Sequence, residues 1–134
     1  MKNKNFELFH EYQKRIVEEL LEEYSSKGVT CVKDENDDDY PNLYLFINGN
    51  RLLYTMWSGE IVVTKKFYYN QYNNTIGTYY CYCKNHRPKL DYNKFAGEVK
   101  AAFKSTLNLY FDMVKHIKVQ KIESKIKELK KDFE

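Results

Sequence analysis

Apolar residues recur every three or four positions through the opening segment, at Phe6, Phe9, Ile16, Val17, Leu20, Leu21 and Tyr24, with Glu18, Glu19, Glu22 and Glu23 opposite. That period predicts an amphipathic helix over 5–26, closed by Ser25-Ser26-Lys27-Gly28, where the glycine suits a left-handed C-terminal cap. Downstream the period falls to two. Strands are predicted at Val29–Lys33, Leu43–Ile47, Arg51–Trp57, Glu60–Tyr69 and Thr75–Cys83, parted by the turns Asn48-Gly49-Asn50 and Ser58-Gly59 and by a polar loop over 70–74. Short connections make these a four- to five-stranded antiparallel meander. Neither face alternates cleanly to polar, so the second face is either covered by a helix or left as an aromatic surface.

After a loop from Lys84 to Leu90, Asp91 is a reasonable N-cap, and no proline interrupts Tyr92 to Phe133. A continuous helix of that length would span about 63 Å, roughly twice the width of a small domain. Its apolar positions form two stripes. The first is Phe95, Val99, Phe103, Leu107, Tyr110, Val114 and Ile117; the second is Val119, Ile122, Ile126, Leu129 and Phe133. The step from Ile117 to Ile122 turns the second stripe roughly 140° from the first. Either the helix bends near residues 116–120 or its end runs past the sheet and offers a separate face. The expected fold is α+β: an N-terminal helix, the meander and the long C-terminal helix. Residues 1–134 make one domain, and 119–134 form a candidate projecting helix for self-association or partner docking.

A length of 134 residues is enough for one core without staples. The odd count of three cysteines and the lack of a charged segment leading into an apolar one point to reduced thiols in a cytoplasmic protein. The sequon at Asn73 then has no secretory context, and no apolar run approaches the roughly 20 residues of a membrane span. Lysine outnumbers arginine 19 to 3, with 12 asparagines and 13 tyrosines, the usage that AT-rich codons favour. A low-GC bacterium, its phage or a mobile element is the expected source. Residues 1–83 carry a net charge of −3 and residues 84–134 a net charge of +6. The basic half suits an acidic partner, including nucleic acid, unless the acidic first helix lies against the basic last one.

Local chemistry is sparse. Cys81, Cys83 and His86 supply three ligands of zinc type without a local fourth, and small core cysteines explain the pair more simply. Asp34, Asn36 and Asp38 match the start of a calcium-binding EF-hand loop, but Asp39 and Leu45 stand where glycine and a bidentate glutamate belong. Glu60 and Lys65 fall on opposite faces of one strand, which argues against a metal-dependent nuclease. No phosphate loop, nucleophile elbow or aligned nucleophile–base pair is present. No enzyme, metal or cofactor is therefore expected.

Aromatic residues carry the stronger signal. Tyr68, Tyr69, Tyr72, Tyr79, Tyr80 and Tyr82 cluster beside Lys65 and Lys66. Tyrosine is enriched at protein interfaces, and tyrosine with lysine also stacks single-stranded bases. The sequence points to a non-enzymatic intracellular binding protein, a phage or mobile-element inhibitor of a host defence protein or ribonucleoprotein in the manner of anti-CRISPR factors. Two alternatives stand beside it: a nucleic-acid binder using the basic helix and tyrosine-rich sheet, and a homodimeric scaffold joined by the terminal helix.

Overall fold

The computed structural model describes residues 5–34 and 40–133, with the backbone alone at Tyr80. Helix α1 spans Phe6–Tyr24 and passes through a single 3-10 turn, Ser25–Lys27, into Gly28, which takes the left-handed conformation at φ 99°. Its buried residues are Phe6, Phe9, Gln13, Ile16, Val17, Leu20 and Tyr24. The stripe is the expected one except that Leu21 lies half-buried at its edge and a polar residue, Gln13, is set in its middle.

Five strands form one antiparallel sheet: β1 (Val29–Lys33), β2 (Leu43–Ile47), β3 (Asn50–Thr55), β4 (Ile61–Thr64) and β7 (Cys83–His86). Between β4 and β7 the chain leaves to make a separate hairpin, β5 (Tyr68–Asn70) and β6 (Thr75–Gly77). Asn48 and Gly49 join β2 to β3 with φ of 47° and 78°, the pair of positive values that a two-residue primed turn requires. A register shift at Leu45/Phe46 leaves Leu52 as an extra residue of β3. This bulge lets Leu52 and Leu53 both enter the core, breaking the simple alternation.

Three expected strands end differently from their hydrophobic runs, and the first of them, Arg51–Trp57, stops at Thr55 where Met56 enters the turn. A strand continuing from Glu60 to Tyr69 would set Lys65 on the same inward face as Val63 and Phe67. The sheet instead stops at Thr64, Lys65 and Lys66 turn outward with both amides donating to the Tyr82 carbonyl, and Phe67 returns to the core. Likewise Thr75–Cys83 is not one strand. It divides into β6, a 3-10 turn at Tyr80–Tyr82, and the start of β7, which occupies ground expected to be loop. A polar run such as Cys83-Lys84-Asn85-His86 is admissible as a strand because β7 lies at the sheet edge.

Helix α2 spans Tyr92–Asp132, 41 residues, and runs unbroken through 116–120. Asp91 caps it, its carboxylate accepting from the Lys94 amide at 3.3 Å. Both helices pack on one sheet face, where Ile16, Leu20, Leu45, Leu53, Val63, Phe95, Val99 and Phe103 share one buried cluster. Thr106, within the α2 stripe, has its hydroxyl in reach of the Thr64 and Ala102 carbonyls and donates its one proton to either, so it is satisfied in the core.

Two carboxylates tie α2 down. Glu19 of α1 accepts from Arg15 and Tyr92, each at 3.0 Å, and from Lys100, so the acidic first helix and the basic last one do meet along this stretch. Glu98 accepts from Lys89 and meets Nδ1 of His86, itself buried on β7, at 2.9 Å. The Lys100 bond, aided by Arg15 and Tyr92, holds the Glu19 carboxyl at about 2, and Lys89 with His86 does the same for Glu98. Burial and the Glu19 bond push the Tyr92 hydroxyl up to about 12. Because both carboxyls are depressed when folded, their stabilisation is complete above the ordinary value of 4.5 and is lost as pH falls towards about 2. Each side chain is about a third exposed, so solvent screening reduces the contribution to about 1 kcal/mol apiece. Urea unfolding of wild type and of the Glu19→Gln/Glu98→Gln double variant checks this. The variant should lose less stability between pH 5 and pH 2.

Candidate partner interface

Helix α2 is buried along Phe95, Ala96, Val99, Phe103, Thr106, Leu107, Tyr110 and Ile117, and nowhere beyond. Past Ile117 the line that faced the sheet continues as Lys121, Ser124, Lys125 and Glu128, all exposed, because no sheet remains beneath it. The second stripe emerges on a different side. Val119, Ile122, Ile126, Leu129 and Phe133 are between 45% and 88% exposed, and nothing among the described residues covers them. Isolated surface apolar residues are ordinary; five in register on one helix edge form a contiguous patch of the kind that marks an interaction site.

The neck where the helix leaves the core is itself grooved. Asn48, Asn50, Thr75, Ile76, Ile117 and Lys118 are among the residues lining a cleft of about 360 Å³, across which Asn48 donates to the Tyr110 hydroxyl at 2.9 Å.

The tyrosines divide into two groups. Tyr68 and Tyr79 stack with ring centres 4.2 Å apart and planes 13° apart, and Tyr82 meets Tyr79 edge-on at 5.8 Å. Hydrogen bonding to Tyr68 raises the Tyr79 hydroxyl above its ordinary value. The stack depends on Gly77, since a Cβ there would lie 2.5 Å from the Tyr68 ring. On the hairpin, Tyr69 donates to the Asn74 side chain, and Tyr72 at the tip is 93% exposed. Tyr68, Tyr69, Tyr72 and Tyr79 border a shallow cleft of about 340 Å³. Lys65 and Lys66 are exposed at the base of the hairpin, and the Tyr80 side chain lies outside the described set.

A second aromatic surface was not singled out from the sequence. On the sheet face opposite the helices, Tyr44 lies 6.1 Å from Tyr54 and 6.2 Å from Phe46, with ring planes within 29° of parallel, and the Arg51 guanidinium sits 4.6 Å over Tyr54. Tyr44, Phe46, Arg51, Thr78 and Tyr79 line a cleft of about 420 Å³ that links this face to the tyrosine stack. The signal was present in the alternation of Tyr44 and Phe46 along β2, which places both on the face the helices leave open.

The zinc-type residues are not assembled. His86 lies on the helix side, in register with Ile61 and committed to Glu98, whereas Cys83 pairs with Thr64 and contacts its hydroxyl at 3.9 Å. Among the described residues no three His, Cys, Asp or Glu side chains converge as a metal site, and no helix is long and apolar enough to cross a membrane. The EF-hand-like residues Asn36, Asp38 and Asp39 lie outside the described residues. Glu60 instead meets Arg87 at 3.9 Å. Comparison with protein-family models, curated proteins and solved structures finds no match for this chain.

Proposed function

We propose that this chain is a non-enzymatic binding protein that grips a protein or ribonucleoprotein partner with the projecting half of α2, acting in the cytoplasm as an inhibitor of a host defence component. The observation that carries the reading is the exposed stripe Val119, Ile122, Ile126, Leu129 and Phe133, a patch that costs solvation in the free protein and gains burial when covered. The tyrosine stack and the open sheet face add contact area of the composition enriched at binding hot spots. The inhibitor role is the finer part, and it rests on the small size and the lysine-, asparagine- and tyrosine-rich usage of the chain.

A photo-crosslinking residue placed at position 126, on the stripe, and at position 104, on an exposed part of the packed half, tests the docking. In lysate of a host cell the position-126 form should yield a discrete heavier species that the position-104 form does not. Identical patterns from the two positions, or no adduct from position 126, would remove the projecting helix from the interface.

A further inference from the structure

A buried histidine leaves one ring atom unused. His86, 2% exposed on β7, meets Oε1 of Glu98 through Nδ1 at 2.9 Å, while its Nε2 is buried without a hydrogen-bond partner among the described residues. Glu98 is ionised at neutral pH, since Lys89 and His86 hold its carboxyl at about 2, and an ionised carboxylate only accepts. The hydrogen of the neutral ring therefore sits on Nδ1, and Nε2 presents a lone pair. A buried acceptor without a donor costs free energy that a hydroxyl in reach would recover.

The same side chain lines a cleft of about 140 Å³ between the β4–β7 edge of the sheet and α2. Val63, Ala102 and Leu109 give the cleft apolar walls, and Lys65 and Lys84, both exposed, stand on its rim. No Asp or Glu lines it, and none of the five ion pairs among the described residues includes either lysine. A space of this size is about what a benzene ring fills.

The chemistry of the lining narrows what can occupy it. A metal ion would need further ligands, and among the described residues no three His, Cys, Asp or Glu side chains converge. Bare phosphate would use the lysines but set its oxygens against apolar walls. A purely apolar molecule would leave Nε2 without its donor. We infer that this cleft binds a small hydroxy acid with an apolar body of about six carbons, its hydroxyl donating to Nε2 of His86 and its carboxylate held by Lys65 and Lys84. The site lies on the packed half of α2 and is independent of the docking proposed for the projecting half.

The test titrates para-hydroxybenzoate into the whole isotope-labelled chain and follows the amide resonances of residues 84–86 and 102–109. Saturable shifts should concentrate there. Benzoate, which lacks the hydroxyl, should bind at least about tenfold more weakly because it buries the ring acceptor unpaired. Lys65→Ala/Lys84→Ala, at exposed positions, should weaken para-hydroxybenzoate by at least about tenfold and leave the urea unfolding curve in place. His86→Phe should erase the preference for the hydroxyl, and the pair of acids reads the same atom in the wild-type chain if that variant does not fold. No saturable shift at these amides up to about 10 mM acid, equal affinity for the two acids, or undiminished affinity in the lysine variant overturns the inference. So does a hydroxyl preference that survives in folded His86→Phe. Saturable binding of inorganic phosphate with neither acid would make the cleft a plain anion site, and likewise overturns it.

Discussion

Phe103→Ala should lower the free energy of unfolding by about 3–5 kcal/mol, the usual range for removing a buried aromatic ring. Phe103 is fully buried in the middle of the packed half of α2, with its ring 5.4 Å from that of Tyr24 on α1. Its ring joins α2 to α1 within the cluster over the sheet, so the two helices cannot close the void without shifting against each other. Urea unfolding measures the change, with Lys104→Ala as the exposed neighbour expected to move stability by less than about 0.5 kcal/mol. A cost at Phe103 no larger than at Lys104 would mean that α2 does not pack on this line.

The second large effect is expected from a nearly isosteric change, Gln13→Glu. Gln13 is buried, and its amide nitrogen donates to two carbonyls of the turn between β3 and β4, Met56 at 2.8 Å and Glu60 at 2.7 Å. An introduced carboxylate would bring acceptors against acceptors and place an unpaired charge in the core. The expected cost is about 3 kcal/mol at pH 7, combining lost hydrogen bonds with desolvation of the charge. Protonation restores one donor, so the deficit relative to wild type should narrow as pH is lowered towards 4.5. Parallel urea titrations at the two pH values read this directly, and a deficit that is small or independent of pH would show that the Gln13 amide does not secure the turn.

Gln13 also illustrates what could be read from the chain beforehand. It stands four residues after Phe9 and three before Ile16, so a polar residue on an apolar stripe was visible, but the period cannot say which carbonyls it would meet. The same holds for Thr106 between Phe103 and Tyr110. Local rules were sufficient where the structure is local: the 3.6-residue period of α1, the positive-φ pair Asn48-Gly49, and the N-cap at Asp91. They were insufficient at Lys65, where an apolar alternation continues past the point at which the sheet must end to avoid burying an ammonium group. They were insufficient again at Cys83–His86, whose polar composition is acceptable only because the strand has a neighbour on one side. The candidate interface was legible in part. The stripe on the projecting helix followed from a count of residues, and the tyrosines were evident as a cluster. That Tyr68 stacks on Tyr79 over Gly77, and that Tyr44, Phe46 and Tyr54 line up across two strands, depends on pairings between segments that periodicity does not encode.

The unbroken course of α2 through residues 116–120 has a thermodynamic consequence for recognition. A detached helix of about 15 residues is marginal in water, because its first turn must be ordered before any hydrogen bond rewards it. Residues 118–132 avoid that step, since the packed turns ahead of them act as a template from which helical structure only has to propagate. Amide protection should decay gradually from Ile117 towards the C-terminus instead of vanishing at the edge of the sheet. A partner would then meet a surface that is already formed near its root and only needs consolidating at its tip.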